Sequence, residues 1–200
     1  MSELYDAVER RRSIYALGDQ SPLSKEEILK LVEHSVKYAP SAFNSQSARV
    51  VVLFGEDHKA LWDIALDALR GVTPPDRFPE TEGKINSCFK SGFGTVLYFE
   101  DQATVTGLQE KFALYKDNFP LWSLQSSGML QYIVWTSLEE KGLGASLQHY
   151  NPLIDDKVKE RWNLPASWKL WGQMPFGSIL APADEKTFLP LEERIRVFGK

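Results

Sequence analysis

The stretch from about Leu121 to Lys141 restricts what this chain can fold into more than any other segment. Leu124, Met129, Leu130, Ile133, Val134, Trp135 and Leu138 recur along it on more than one helical stripe, and Gly142 ends the run. A helix that is apolar on several sides is one that other elements surround, so the pattern predicts a central helix. Two uninterrupted apolar runs, from Arg49 to Phe54 and from Thr95 to Glu100, read as buried strands, the first covered on both faces. A surrounded helix beside buried strands is an α+β arrangement. The 200 residues fit one domain, spanning 1–200, and no repeat, low-complexity tract or linker divides them.

The remaining elements follow from local signals. Leu4 to Glu9 reads as a short helix. Ser24-Lys25-Glu26-Glu27 is a capping box that opens a second helix carrying Ile28, Leu29, Val32, Val36 and Ala39. Pro40 stops that helix, because a proline pushes its predecessor out of the α region. Asp57 is the expected cap of a third helix with Leu61, Ile64, Ala65, Ala68 and Leu69, stopped at Gly71. A loop is expected from about Val72 to Pro79, a helix from about Pro152 to Trp162 and a strand from Lys169 to Met174. The tail from Pro182 to Lys200 is too polar and too punctuated by proline to form a core, so it is expected to lie along something else, such as a partner subunit.

Several function classes are excluded by what the chain lacks. A net charge of -4 gives no basic field for nucleic acid. The single cysteine, Cys88, permits no internal disulfide and no multi-cysteine metal site, and reads as an inert thiol in a helix. His34, His58 and His149 have no partner at metal-ligand spacing, so no metal is expected. His34 and His58 read as solvated helix residues; His149, among small residues after the long helix, is a pocket candidate. Gly92-Phe93-Gly94 precedes a strand instead of following one, which is the wrong order for a dinucleotide fingerprint. No Gly-x-Ser-x-Gly elbow and no convincing acid–base pair are present, which leaves a Ser-His-Asp triad open only if distant segments assemble it. No run reaches the roughly 18 apolar residues of a membrane span. The first six residues lack the basic start and apolar stretch of a leader, and a cytoplasmic location is expected.

Two segments carry binding chemistry. Arg11-Arg12-Ser13 places two guanidinium groups and a hydroxyl at a helix end, either as a solvated basic turn or as a grip for phosphate. Ala39-Pro40-Ser41-Ala42-Phe43-Asn44-Ser45-Gln46 packs hydroxyls and bifunctional amides into a loop that suits a polar heterocycle. Lys84 and Lys186 are further cations. Phe43 and the Phe119-Pro120-Leu121-Trp122 segment either sandwich a planar ligand or pack as core.

These segments, in this order, resemble the nitroreductase family of FMN-dependent oxidoreductases over nearly the whole chain. The resemblance includes Gly142-Leu143-Gly144-Ala145 and Pro190-Leu191-Glu192-Glu193. The compact bacterial and fungal branch is the most similar, through Leu147-Gln148-His149-Tyr150-Asn151-Pro152 and Gly172-Gln173-Met174-Pro175-Phe176-Gly177. It implies a homodimer, a mostly antiparallel sheet flanked by helices, and a C-terminal segment swapped onto the partner. By the same likeness Arg11, Arg12, Ser13 and Lys186 hold the FMN phosphate and ribityl end. Ser41, Asn44 and Gln46 reach the cofactor from the other subunit. Lys84 sits by the pyrimidine edge, and Leu147, Gln148 and His149 cover one ring face with backbone N–H groups near N5 and O4. The implied activity is ping-pong hydride transfer from NAD(P)H, through flavin N5, to nitroaromatic or quinone acceptors. The alternative is a flavin-binding stress or regulatory protein with little turnover. The chain departs from better-known members by Tyr15 after the triplet and by Lys186-Thr187-Phe188, which lacks an expected arginine that Arg194 or Arg196 would have to replace.

Overall fold

The computed structural model describes residues 3–199; Met1, Ser2 and Lys200 lie outside the described residues. In chain order the elements are α1 (Glu3–Arg10), β1 (Leu17–Gly18), α2 (Lys25–Tyr38), β2 (Ala48–Phe54), α3 (Gly55–Arg70), α4 (Phe78–Ile85), β3 (Gly94–Asp101), α5 (Gln102–Lys111), α6 (Phe119–Glu140), β4 (Gly144–Ala145), α7 (Asp155–Arg161), β5 (Trp168–Ile179) and α8 (Leu191–Arg194). A π-helical turn, Asn86–Lys90, continues α4 and carries the half-buried Cys88. The sheet runs β1-β5-β3-β2 with every pairing antiparallel, and β4 adds to β5.

The core lies on both faces of this sheet. Leu97 and Phe99 of β3 point to one face, where Leu61, Trp62 and Ala65 of α3 join Phe89, Ile154 and Val158. Val96 and Tyr98 point to the other, against Ile28 and Val32 of α2 and Leu130, Val134 and Leu138 of α6. The two-residue period of a strand thus explains why Thr95 to Glu100 reads as one unbroken apolar run. The central helix expected from sequence is α6, which packs against α1, α2, α5 and β3. Its most buried positions include Ser123, Ser126 and Ser127, small side chains that let neighbours approach closely.

Local signals held where one cap or one proline decides the backbone. Ser24 and Glu27 form the capping box in both directions, and Ala39 before Pro40 is extended. Other expectations need correction. β2 packs on both faces, but it is the sheet edge, and only Leu53 is fully buried. Phe54, not Asp57, precedes α3, and Asp57 instead accepts from the Trp162 indole N–H at 3.0 Å. α7 is shorter than its pattern and starts at Asp155. β5 continues through Pro175 to Ile179, because the carbonyl of Pro175 faces Ser146 beyond β4 and the missing N–H falls on that peripheral side.

His58 is the clearest reversal. It is 1% exposed, and its Nε2 lies 3.2 Å from the Lys90 carbonyl while Nδ1 lies 2.8 Å from Thr95 Oγ1. A carbonyl only accepts, so Nε2 carries the proton and Nδ1 accepts from the Thr95 hydroxyl. Thr95 in turn accepts from Trp62 Nε1 at 3.1 Å. Burial pushes the imidazole down to about 4, and the bond to the Lys90 carbonyl opposes that only in part. His34, by contrast, is exposed on α2 beside Tyr38.

Candidate functional site

The chain leaves α1 with Arg11 N–H bonded to the Ala7 carbonyl at 3.0 Å, then runs alongside β4: Ser13 bridges Ala145 in parallel, and Ile14 N–H donates to the Ala145 carbonyl at 2.9 Å. That pairing brings the basic triplet beside the segment that follows the long helix. Arg11, Arg12, Ser13, Tyr15, Asp184 and Lys186 line one open cavity of about 500 Å³. Arg12 donates to the Asp184 carbonyl at 2.6 Å, which ties the start of the tail to the helix end. The Arg11 guanidinium lies 4.5 Å from the Trp135 ring centre and 5.8 Å from that of Tyr132, and its buried Nε has no hydrogen-bond partner among the described residues. Neither Arg194 nor Arg196 reaches this cavity; Arg196 bonds the Glu192 carbonyl instead.

Tyr15 carries the cavity toward Lys84. Its ring centre is 5.9 Å from Lys84 Nζ and 6.3 Å from the ring of Phe89, whose own centre is 6.0 Å from the same ammonium. Leu147, Gln148 and His149 continue from β4 along β5. Gln148 exchanges backbone bonds with Gln173 at 2.7 and 2.9 Å, so its N–H is committed to the sheet and is not free for a ring. The buried side chain of Gln173 accepts from Tyr150 N–H at 2.8 Å and fixes the end of the segment. His149 is exposed.

Ser41, Asn44 and Gln46 lie elsewhere. They line a second cavity of about 280 Å³ with Ser47, Arg49 and Ser126, and this cavity shares no lining residue with the first. Phe43, Asn44 and Gln46 hold φ of 56°, 50° and 49°, each of which costs of order 1 kcal/mol or more in a non-glycine residue. Such a backbone persists only where its surroundings determine it. Ser41 Oγ accepts from Gln46 N–H at 3.1 Å, and Arg49 donates to the Gln46 carbonyl at 2.8 Å. The Phe43 ring sits 4.9 Å from Phe112, 5.3 Å from Phe119 and 6.0 Å from a nearly parallel Trp122. The sequence left Phe43 between ligand and core; these contacts make it an anchor of the loop, with one side still exposed to an adjoining groove.

A buried carboxyl that the sequence did not single out stands behind this loop. Glu100 at the end of β3 is fully buried; its Oε2 accepts from Ser47 and, at 2.8 Å, from Ser123 of α6, while Oε1 has no partner among the described residues. Burial raises its carboxyl above the ordinary range, opposed by the two serine hydroxyls and by Arg49. The only signal in the sequence is an acidic residue closing an apolar strand. Ser123→Ala leaves that carboxyl with one donor, and urea denaturation is expected to show a loss of about 1–3 kcal/mol.

Among the described residues no group of three or more His, Cys, Asp or Glu side chains is placed to hold a metal ion, and no helix is long and apolar enough to cross a membrane. The helix α6 backs both cavities, with Trp135 behind the first and Ser123 and Ser126 behind the second.

Comparison with known proteins agrees with this architecture. The family model described as "Nitroreductase family" matches residues 8–178. Nitroreductase FRM2 of Saccharomyces cerevisiae is 32% identical over 186 residues, which cover 92% of both chains. Nitroreductase CinD from Lactococcus lactis, solved in complex with chloramphenicol, superposes with a TM-score of 0.90 at 47% identity, covering 98% of this chain and all of its own. A nitroreductase with bound FMN from Desulfitobacterium hafniense has the same fold at a TM-score of 0.72 and 14% identity, over the full length of both chains. With the family model spanning most of the chain, and full-length relatives sharing its sheet and surrounding helices, the chain belongs to the nitroreductase family.

Proposed function

We propose that the chain is an FMN-dependent oxidoreductase that uses NAD(P)H to reduce nitroaromatic or quinone acceptors. The observation that carries this reading is the meeting of Arg11, Arg12, Lys186 and Ser13 on one cavity, with Tyr15 leading from it to Lys84. The donor set fits a phosphomonoester: two planar guanidiniums, one ammonium and one hydroxyl face a near-dianion, and Arg11 comes to the cavity without a carboxylate partner among the described residues. Lys84 then offers positive charge to a ring lying beyond Tyr15. Leu147, Gln148 and His149 form the wall on that side, held in place by the Gln148–Gln173 pairing. When bound, FMN would supply reversible two-electron hydride chemistry, which suits a ping-pong exchange between NAD(P)H and a second substrate. The protein's part is to grip the phosphate, orient the ring and exclude water. The FMN bound by a structural relative, and the chloramphenicol and 4-nitrophenol bound by CinD, support the cofactor and acceptor classes.

In this reading the site is shared by two copies of the chain. Ser41, Asn44 and Gln46 belong to a cavity separate from the phosphate grip and reach the cofactor from the partner. The tail fits the same arrangement: Phe188, Leu189, Leu191, Ile195, Val197 and Phe198 are all exposed in the single chain, as is expected of a segment swapped onto a second copy.

Purified protein should be yellow, and NADH or NADPH should bleach the flavin band. Bleaching by neither reductant would favour a flavin-binding protein with little turnover, and a colourless protein that takes up no FMN would overturn both. Arg11→Ala is expected to weaken FMN binding by about 10- to 100-fold, the effect of losing a charge-assisted hydrogen bond of roughly 1.5–3 kcal/mol. Lys25→Ala, at the exposed start of α2, is the control and should bind FMN as the parent does.

A further inference from the structure

Three arginines follow one another at the end of α1 and its exit, and they are held in different ways. Arg10 pairs with Glu139 of α6 at 3.1 Å, and Arg12 donates to the Asp184 carbonyl. Arg11 has neither kind of partner among the described residues. Its guanidinium lies over the indole of Trp135 at 4.5 Å, with Tyr132 one helical turn away at 5.8 Å. Its Nε and the indole Nε1 are both buried without a hydrogen-bond partner among the described residues. The contact between the two side chains is therefore face to cation and not donor to acceptor.

The difference matters for charge. A carboxylate that fixes an arginine also neutralises it and competes with any incoming anion. An aromatic face attracts the cation through its quadrupole, fixes the plane of the guanidinium and leaves the net charge intact. Glu139 stands one turn beyond Trp135 on the same helix, yet its paired oxygen goes to Arg10. We infer that Trp135 is a positioning residue for the phosphate-binding arginine: its ring holds Arg11 at the cavity wall, charged and preordered, for a phosphomonoester. This inference rests on the FMN reading and adds to it a residue of α6 that does not line the cavity itself.

The test compares FMN with riboflavin, which has the same ring and ribityl chain but no phosphate. Dissociation constants for both, measured by flavin fluorescence on the full-length parent and variants freed of flavin, separate phosphate recognition from general integrity of the pocket. Trp135→Leu is expected to raise the FMN constant about tenfold and to leave the riboflavin constant within about twofold. Trp135→Phe, which keeps a ring face, should recover most of the FMN affinity. Combining Trp135→Leu with Arg11→Ala should weaken FMN little more than Arg11→Ala alone, because both remove one interaction. If Trp135→Leu weakens both ligands equally, or Trp135→Phe behaves like Trp135→Leu, the positioning role is overturned. If Trp135→Leu changes neither constant while Arg11→Ala lowers FMN selectively, the inference fails and the cofactor reading stands. If Arg11→Ala leaves the ratio of the two constants unchanged, both fail.

Discussion

Gly177→Ala is expected to remove about 3 kcal/mol or more of stability, a large share of the roughly 5–15 kcal/mol margin of an ordinary domain. Gly177 sits on β5 opposite Gly144 of β4, while β1 closes over the next residues of the strand. A methyl group there would lie 2.1 Å from the Gly18 carbonyl oxygen and 2.9 Å from the Phe93 nitrogen. Both are backbone atoms of paired segments, so no rotamer change relieves the contact. The strands would have to part at the place where β1, β4 and β5 bring the basic triplet next to the segment after α6. Gly107→Ala provides the contrast. That glycine is on an exposed face of α5 with nothing within 4 Å of an added methyl, and the substitution should stabilise by about 0.5–1 kcal/mol through helix propensity. Thermal denaturation of the two variants beside the parent checks both signs; a Gly177→Ala protein that melts with the parent would refute the steric argument.

Acid should weaken the fold through His58. Its imidazole titrates near 6.5 when unfolded and near 4 when folded, so the unfolded chain binds the extra proton between these values. Stability conferred by the neutral, buried ring is complete above about pH 6.5 and declines as the pH falls toward 4, reaching a loss of about 3 kcal/mol at roughly 1.4 kcal/mol per pK unit. Protonation sets Nδ1–H against the Thr95 hydroxyl, which must then give up donating to the ring, and it places a charge where, among the described residues, no carboxylate faces it at hydrogen-bond distance. Glu100, whose carboxyl is raised by burial, contributes the opposite slope, losing stability as the pH rises through its titration. The comparison that isolates His58 is therefore between the parent and His58→Gln, with urea unfolding measured from pH 4 to pH 7. The parent should show a steep rise in stability with pH over this interval, and the variant a shallower one. Parallel curves would exclude His58 as the source.

What could be read from the sequence was what neighbouring residues settle among themselves. The capping box at Ser24, the stop at Pro40 and the many-sided apolar pattern of α6 each depend on a few adjacent positions, and each is found where expected. Arg11, Arg12, Ser13 and Lys186 meet on one cavity although more than 170 residues separate the two ends of the set; charge alone offers Lys186 as one further cation beside Lys84, and the resemblance to a family assigns it to this grip. The burial of His58 is legible in the sequence, because it shares the helical stripe of Leu61, Trp62 and Ala65, and that stripe is the buried one. The edge position of β2, the left-handed backbone at Phe43, Asn44 and Gln46, and the carboxyl of Glu100 behind that loop depend on pairings between distant segments. No local pattern encodes them.

The helix α6 also acts as a ruler. Ser123 and Trp135 lie on it about 18 Å apart at the standard rise per residue, one anchoring the wall of the amide-lined cavity and the other the arginine of the cationic one. The spacing between the two cavity walls within one chain is thus a length of rigid helix, not the sum of several loops. A residue inserted between these two positions would shift one anchor along the axis and turn it by about 100° relative to the other, while either cavity alone kept its own side chains.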